Sequence, residues 1–489
     1  MNNKKIFIYG VSIQSVIVIL KGGLEIIVFA IMSRLLTKVE FGYYAAITGI
    51  VFIVSSITEA GFGSAVIQKK DASAKFVRTA FSLSWITGSI GSLCMFIVTP
   101  YIAKILIDES VIIPLRIMSI NIFLACTASV GRSLLMKNLE FKKYGQYELC
   151  AYFLSSLIGI VMAILNLGLY SIVAISVCNM LLINVMLYVN SVKIPQFCIN
   201  LHEIREIVSF GGWLTMGVVV NNITQQLDRL LLPKWLSVEM LGAYNRPAGF
   251  VNTTTGQING IFDTVLFPML SKLQNDIGRV QSVLLSAVSV LNAFSAVMFC
   301  LFFFNANLII FVFFGKEWLS LSYVFQIISI YIIFNIDSRL VDSFFRSLGL
   351  VKLGFFLRSI SAILTFLLIY IGCNWGLYGV ATAIVCANIL TVSIKMYSLA
   401  RNTHTRFVLL LYHFIKALKV TMPLIIEGML FCLFYSNSSL IIQSLFAFCM
   451  GVTILIEFLV FPKFVGKEYY DSVYSVIHPS IRNFLKKTL

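Results

Sequence analysis

Charge is what this chain has least of. Of its 489 residues only 12% are Asp, Glu, Lys or Arg, against about 25% in soluble domains. Histidine occurs four times, scattered, which leaves no triad or metal cluster to assemble. The ten cysteines are also scattered, mostly inside apolar runs (Cys94, Cys126, Cys178, Cys300, Cys386, Cys449), with no CxxC pair. That excludes a disulfide framework and an ordinary zinc site, and no cofactor is expected. There is no Walker A sequence, no HExxH, and no DxD outside the apolar segments. What remains is apolar: 59% of the residues are hydrophobic and the mean hydropathy is +0.93. The fold class this implies is an all-α polytopic membrane protein with little mass outside the bilayer.

The first apolar run, 6–32, is long enough to cross a bilayer, for which about 20 residues suffice. Lys4 and Lys5 precede it, but it is too long for a signal-peptide core and lacks a small-residue cleavage site, so it reads as a retained helix. Inside it lie Gln14, Lys21 and Glu25, which at ~100° per residue fall within ~40° of one another. A charge in hydrocarbon costs at least ~2.5–3.5 kcal/mol. That stripe therefore faces protein or water. Either Lys21 and Glu25 simply join neighbouring helices, or they line a substrate path.

Hydropathy windows place fourteen spans, near 6–32, 41–67, 77–99, 111–135, 146–165, 169–190, 210–235, 243–270, 280–304, 321–348, 353–372, 376–400, 412–435 and 439–462. In alternate loops, Lys and Arg number 26 on one side and six on the other, so both termini are expected in the cytoplasm. The net charge of +16 is mainly this topology signal. Spread over many loops, it makes no nucleic-acid surface.

The halves repeat. Leu36-Thr37 and Phe41-Gly42-Tyr43-Tyr44 align with Leu236-Ser237 and Leu241-Gly242-Ala243-Tyr244. Asn121 and Arg132-Ser133-Leu134 align with Asn335 and Arg346-Ser347-Leu348. Six spans separate equivalent helices, which implies a pseudo-two-fold along the membrane normal and a central site between lobes. The expected division is an N-terminal lobe 1–200, a C-terminal lobe 201–405, two further helices over 406–465, and a cytoplasmic tail 466–489. That basic, Tyr-bearing tail suits an anionic membrane surface or a docking site.

Polar stripes follow the repeat. Gly211, Thr215, Asn222, Gln226 and Arg229 share a face of the seventh span. So do Thr48, Ser55 and Glu59 in the second, and Asn245, Asn252, Asn259 and Asp263 in the eighth. The tenth aligns Asn335, Arg339, Asp342 and Arg346, while Asp228 and Asp337 point elsewhere, as structural counter-ions would. Such stripes either bond helices together or enclose a hydrated chamber. In the chamber reading Lys21, Arg229 and Arg339 bind an anionic cargo, Arg being suited to bidentate phosphate contacts. Glu25, Glu59, Asp263 and Asp342 then pair with them or titrate.

Ser33-Arg34-Leu35-Leu36 before Phe41-Gly42, then Gly61-Phe62-Gly63-Ser64-Ala65-Val66-Ile67-Gln68-Lys69-Lys70-Asp71, resembles the first hairpin of the Wzx-type polysaccharide flippases. The likeness is strongest to the branch exporting colanic acid and similar exopolysaccharides. Leu135-Met136-Lys137-Asn138-Leu139-Glu140-Phe141, Leu227-Asp228 with Leu230-Leu231, and Phe267-Pro268-Met269-Leu270-Ser271 resemble further signatures of that family. The chain departs from the family in carrying Arg229 where a small residue is common. The resemblance implies the fold of the multidrug/oligosaccharidyl-lipid/polysaccharide exporter superfamily, two six-helix lobes plus two C-terminal helices. It implies a flippase carrying undecaprenyl-pyrophosphate-linked oligosaccharide across the bacterial plasma (inner) membrane by alternating access, for exopolysaccharide, capsule or O-antigen synthesis. Membrane lipids, polysaccharide polymerase and assembly proteins are the implied partners. Two rivals stand beside it: a cation-coupled multidrug exporter of the same fold, expected to have an acidic, aromatic chamber, and a membrane-embedded polymerase or glycosyltransferase. The short external loops disfavour the second.

Overall fold

A computed structural model describes residues 3–459 apart from 60, 70–72, 139, 191–196, 274–276 and 436–438. Inside its helices, the side chains of 3–16, 208–218 and 257–277, among others, also lie outside the described residues. Gln14, Gly211, Thr215, Asn259, Asp263 and the basic tail are therefore expectations that fall outside the described residues.

The described residues form helices joined by short turns. The first seven are α1 (Asn3–Leu35), α2 (Lys38–Glu59), α3 (Phe62–Gln68), α4 (Ala74–Leu106), α5 (Ile112–Lys137), α6 (Phe141–Ile164) and α7 (Leu169–Asn190). There follow α8 (Leu201–Trp235), α9 (Val238–Leu273), α10 (Ile277–Phe304), α11 (Ala306–Phe313) and α12 (Ser322–Ser347). The last five are α13 (Val351–Gly372), α14 (Gly376–Asn402), α15 (Phe407–Val420), α16 (Met422–Tyr435) and α17 (Leu440–Leu459). Among the described residues, eight helical segments are long and apolar enough to cross a membrane, the longest of them, Lys352–Asn402, taking in both α13 and α14. Their outer faces carry side chains such as Leu93, Ile97, Ile105 and Ile164, each about 60% exposed. A face so apolar is stable against lipid and not against water.

Two expected spans are interrupted. The second ends at Glu59, because Gly61 takes the left-handed conformation (φ 69°, ψ 16°) before α3 begins. The thirteenth divides at Thr421 into α15 and α16. Pro423, which has no N–H to continue the ladder, stands just inside the new start.

The sequence repeat has a structural cause at its first motif. Thr37 and Glu40 form a capping box on α2: the Glu40 carboxylate accepts from the Thr37 N–H (2.7 Å), and the Glu40 N–H donates back to Thr37 Oγ1 (3.3 Å). Ser237 caps α9 in the same way, accepting from the Met240 N–H at 3.1 Å. One turn further in, the helices cross at the paired glycines. A Cβ on Gly42 would lie 1.9 Å from the Val238 carbonyl oxygen, and one on Gly242 would lie 1.8 Å from that of Lys38. Each helix thus needs its own glycine to accept the other's first turn, and the contact is its own mirror in the numbering.

By contact the chain forms two compact units, Met1–Phe250 with Thr365–Leu377, and Val251–Leu364 with Tyr378–Leu489. In the first, α2 packs on α5, α7 and α8 around Ile47, Ile50, Leu115, Met118, Ile122 and Val173. Polar pegs fix the seam between α5 and α7: Asn121 donates to Ser176 Oγ (3.0 Å), and Thr127 donates to Asn184 (2.8 Å). In the second, α10 is the central element, touching α12, α15, α16 and α17. Val297, Cys300, Leu424, Phe446 and Met450 make its core, with Phe431 and Phe446 stacked at 3.9 Å.

Candidate functional site

The polar stripes resolve into separate groups. On α1, Lys21 lies 3.8 Å from Glu25, one turn along the same helix, and 3.6 Å from Glu148 of α6. Glu148 also accepts from the Tyr144 hydroxyl at 3.0 Å. Arg132 of α5 adjoins the same group, hydrogen-bonded to Tyr144 and in electrostatic contact with Glu148, so its two carboxylates are matched by two cations. The side chains of Lys21, Glu25 and Glu148 are about a quarter exposed, enough for water to reach them. Glu59, at the end of α2, accepts from Ser129 Oγ of α5 at 2.6 Å.

The α8 stripe packs on α2. Asn222 donates to Ser56 Oγ at 2.7 Å, and Gly49 offers the gap into which Gln226 and Arg229 fit, the Arg229 Cβ lying 3.1 Å from where a Gly49 Cβ would stand. Arg229 Nε donates to Asn245 Oδ1 of α9 at 3.1 Å. Arg229 thereby ties three helices, α2, α8 and α9. Arg246 is held more completely. It donates to Ser33 Oγ (3.0 Å) and to the Phe29 carbonyl (2.8 Å), and its guanidinium lies 3.5 Å and 3.7 Å from the Phe29 and Phe41 ring centres.

In the second unit cations outnumber the carboxylate they meet. Asp342 of α12 lies 3.0 Å from Lys395 Nζ of α14 and 3.9 Å from Arg358 Nε of α13. Lys395, only 4% exposed, also donates to Ser338 Oγ at 3.0 Å. Arg339 and Arg346 flank Asp342 on α12, both exposed, with Arg346 Nε donating to the Asp342 carbonyl at 3.3 Å. Two cations thus share the Asp342 carboxylate, and Arg339 stands one turn from it on the same helix. Arg339 stands eight residues before the end of α12, about 12 Å at 1.5 Å per residue. An exposed guanidinium at that depth requires water or an anion beside it. Asn335, expected on this face, is buried beside Tyr331 and helps pack α12.

Of the expected residues, the structure therefore brings Lys21 and Glu25 together on α1, and Asn222, Gln226 and Arg229 together on the α2–α8 seam. It brings Arg339 and Asp342 together on α12, while Glu59 stands with Ser129. The residues that sequence reasoning missed are Glu148, Arg358 and Lys395. Lys395 gave the same signal as Lys21, a lone cation inside an apolar run. Arg358 and Glu148 sit near the starts of their spans, where a charge reads as a loop residue.

The helical bundle agrees with what the chain is similar to. A profile described as polysaccharide biosynthesis protein matches residues 31–323. The chain belongs to that family. Among curated relatives, the succinoglycan biosynthesis transport protein ExoT of Rhizobium meliloti (strain 1021) is 25% identical over 296 residues, covering 60% of each chain. The lipopolysaccharide biosynthesis protein WzxC of Escherichia coli (strain K12) is 23% identical over 328 residues, 65% of each chain. The teichuronic acid biosynthesis protein TuaB of Bacillus subtilis (strain 168) is 24% identical over 338 residues, 68% of this chain and 69% of TuaB. The chain thus matches about two thirds or less of the length of ExoT and WzxC. These relatives bear out the Wzx-type resemblance. Among solved structures, the lipid II flippase MurJ in its inward closed conformation superposes with a TM-score of 0.72 at 16% identity, over 92% of this chain and 98% of MurJ. An inward-facing multidrug resistance MATE family transporter gives 0.64 at 12% identity, over 81% and 98%. Likenesses at these identities establish the fold, and the expected all-α exporter architecture stands.

Proposed function

We propose that the chain is a flippase for lipid-linked oligosaccharide in bacterial polysaccharide synthesis, carrying an undecaprenyl-pyrophosphate-linked unit across the plasma membrane by alternating access. Both termini lie in the cytoplasm in this reading, and the lobes 1–200 and 201–405 move about the central site. It is not an enzyme: the cargo is moved, not transformed. The observation that carries the proposal is the group on α12, α13 and α14, where Arg358 and Lys395 share a single carboxylate, Asp342, and Arg339 stands exposed three residues before it on α12. In hydrocarbon an excess of cations is costly, and an excess retained at such cost suits a multiply charged anion. A pyrophosphate needs several donors to replace its lost water, because each unpaired charge costs several kcal/mol. Arg339 is the residue best placed to meet it, being exposed and joined to no carboxylate among the described residues. Lys21, paired with two carboxylates, and Arg229, tied between helices, are assigned to holding the first unit together.

The same charge balance argues against a cationic drug as cargo, which would be repelled by the excess of Arg339, Arg358 and Lys395 over Asp342. The test is complementation in a deletion strain. Arg339→Ala is expected to abolish polysaccharide export and to accumulate the lipid-linked oligosaccharide, with protein abundance unchanged. Normal export with Arg339→Ala would remove the pyrophosphate assignment.

A further inference from the structure

Five residues before Asp342, α12 carries a second carboxylate with a different environment. Asp337 is 2% exposed and faces α10, where Asn292 Nδ2 donates to Asp337 Oδ1 at 3.0 Å and to the Val288 carbonyl at 2.8 Å. Asn292 is itself 2% exposed, and its Oδ1 is buried with no donor among the described residues. The titratable groups on elements packed here are Arg279 and Cys300 of α10, Lys316 and Glu317 before α12, and Tyr412, His413, Lys416 and Lys419 of α15. To these α13 and α14 add Arg358 and Lys395, whose carboxylate partner is Asp342. Helix α11 carries none. Among the described residues, none of these groups hydrogen-bonds or ion-pairs with Asp337.

An ionised carboxylate enclosed this way has one amide N–H for company and no counter-charge, a costly arrangement in a membrane interior. The neutral acid fits what is present. Its carbonyl keeps the Asn292 N–H, and its hydroxyl is a donor for the Asn292 oxygen that otherwise has none. One bound proton removes both defects, the bare charge and the orphaned acceptor. One turn along α10 from Asn292, Ser289 shares a hydrogen bond with His413 Nδ1 of α15 at 2.5 Å. An imidazole from α15 therefore faces the adjoining turn of α10.

We propose that the Asp337–Asn292 pair is a proton-binding site that couples transport to the proton gradient: proton on when the pair is enclosed, proton off when the helices part and water reaches Asp337. The coupling half rests on the transport reading above, whereas the protonation half stands without it. Infrared spectroscopy on the full-length protein in nanodiscs tests the latter. The expected result at neutral pH is a neutral-carboxyl C=O band that disappears in Asp337→Asn and persists, displaced, in Asp337→Glu. In Asn292→Leu, which keeps Asp337, the band shifts upward as its hydrogen bond is lost. A spectrum unchanged in both Asp337→Asn and Asn292→Leu overturns the site. Coupling is read in proteoliposomes with a short-chain polyprenyl-pyrophosphate disaccharide as probe. Wild-type translocation is expected to respond to an imposed pH gradient and Asp337→Asn to lose that response. A wild type that translocates without regard to the gradient overturns coupling. A wild type that does not translocate the probe contradicts the flippase reading instead, and leaves the infrared result to decide the site.

Discussion

Two charged groups among the described residues lie at membrane depth, one balanced and one rich in cations. On α1 and α6, Lys21 meets Glu25 and Glu148, and Arg132 stands beside Glu148. On α12 to α14, Asp342 meets Lys395 and Arg358, with Arg339 exposed one turn away. Read along the chain the two looked alike, each a cation and a carboxylate three or four residues apart within an apolar run. The difference comes from other helices: α6 brings a carboxylate to one, α13 and α14 bring cations to the other. Whether a buried cation is free to bind cargo is thus decided by tertiary neighbours.

The comparison can be broken at its most buried point. Asp342→Ala leaves Lys395 enclosed with only Ser338 as a partner, and removing one member of a buried pair costs about 3–5 kcal/mol. A fall of that order is expected in thermal or denaturant unfolding of the purified protein in detergent, together with reduced abundance. A variant as stable as wild type would mean that Lys395 is not held as described. Lys21→Ala is expected to cost less, about 1–3 kcal/mol, because Glu25 and Glu148 are part-hydrated. The triple change Lys21→Met, Glu25→Gln, Glu148→Gln is expected to recover most of that loss and to export polysaccharide, a result possible only if Lys21 is structural. The smallest effect on stability is expected for Arg339→Ala, within about 0.5 kcal/mol, as for exposed positions generally. It is paired with the largest effect on export.

Much of this was legible in the chain. The match of Thr37 and Gly42 with Ser237 and Gly242 was read as a repeat, and the structure supplies its cause, because caps and tight crossings admit few residue types. The Lys21–Glu25 pair followed from helical spacing alone. Glu148, Arg358 and Lys395 were not placed, since periodicity says which residues share a face and is silent on what another helix sets against it. Asp337 shows the same limit from the other side. Its angle on α12 set it apart from the Arg339 stripe, which suggested a structural counter-ion. Among the described residues it has an amide and no cation as partner. Gly61 and Pro423 were visible as breakers, yet hydropathy averaged over about 19 residues runs straight across them.

Equilibrium binding of undecaprenyl pyrophosphate to the purified protein separates the two groups most directly. Loss of one charge-assisted contact, worth ~1.5–3 kcal/mol, is expected to weaken binding by about tenfold or more in Arg339→Ala and to leave the Lys21/Glu25/Glu148 triple variant close to wild type. Undiminished affinity in Arg339→Ala, with affinity lost in the triple variant, would contradict the account and move the pyrophosphate site to α1.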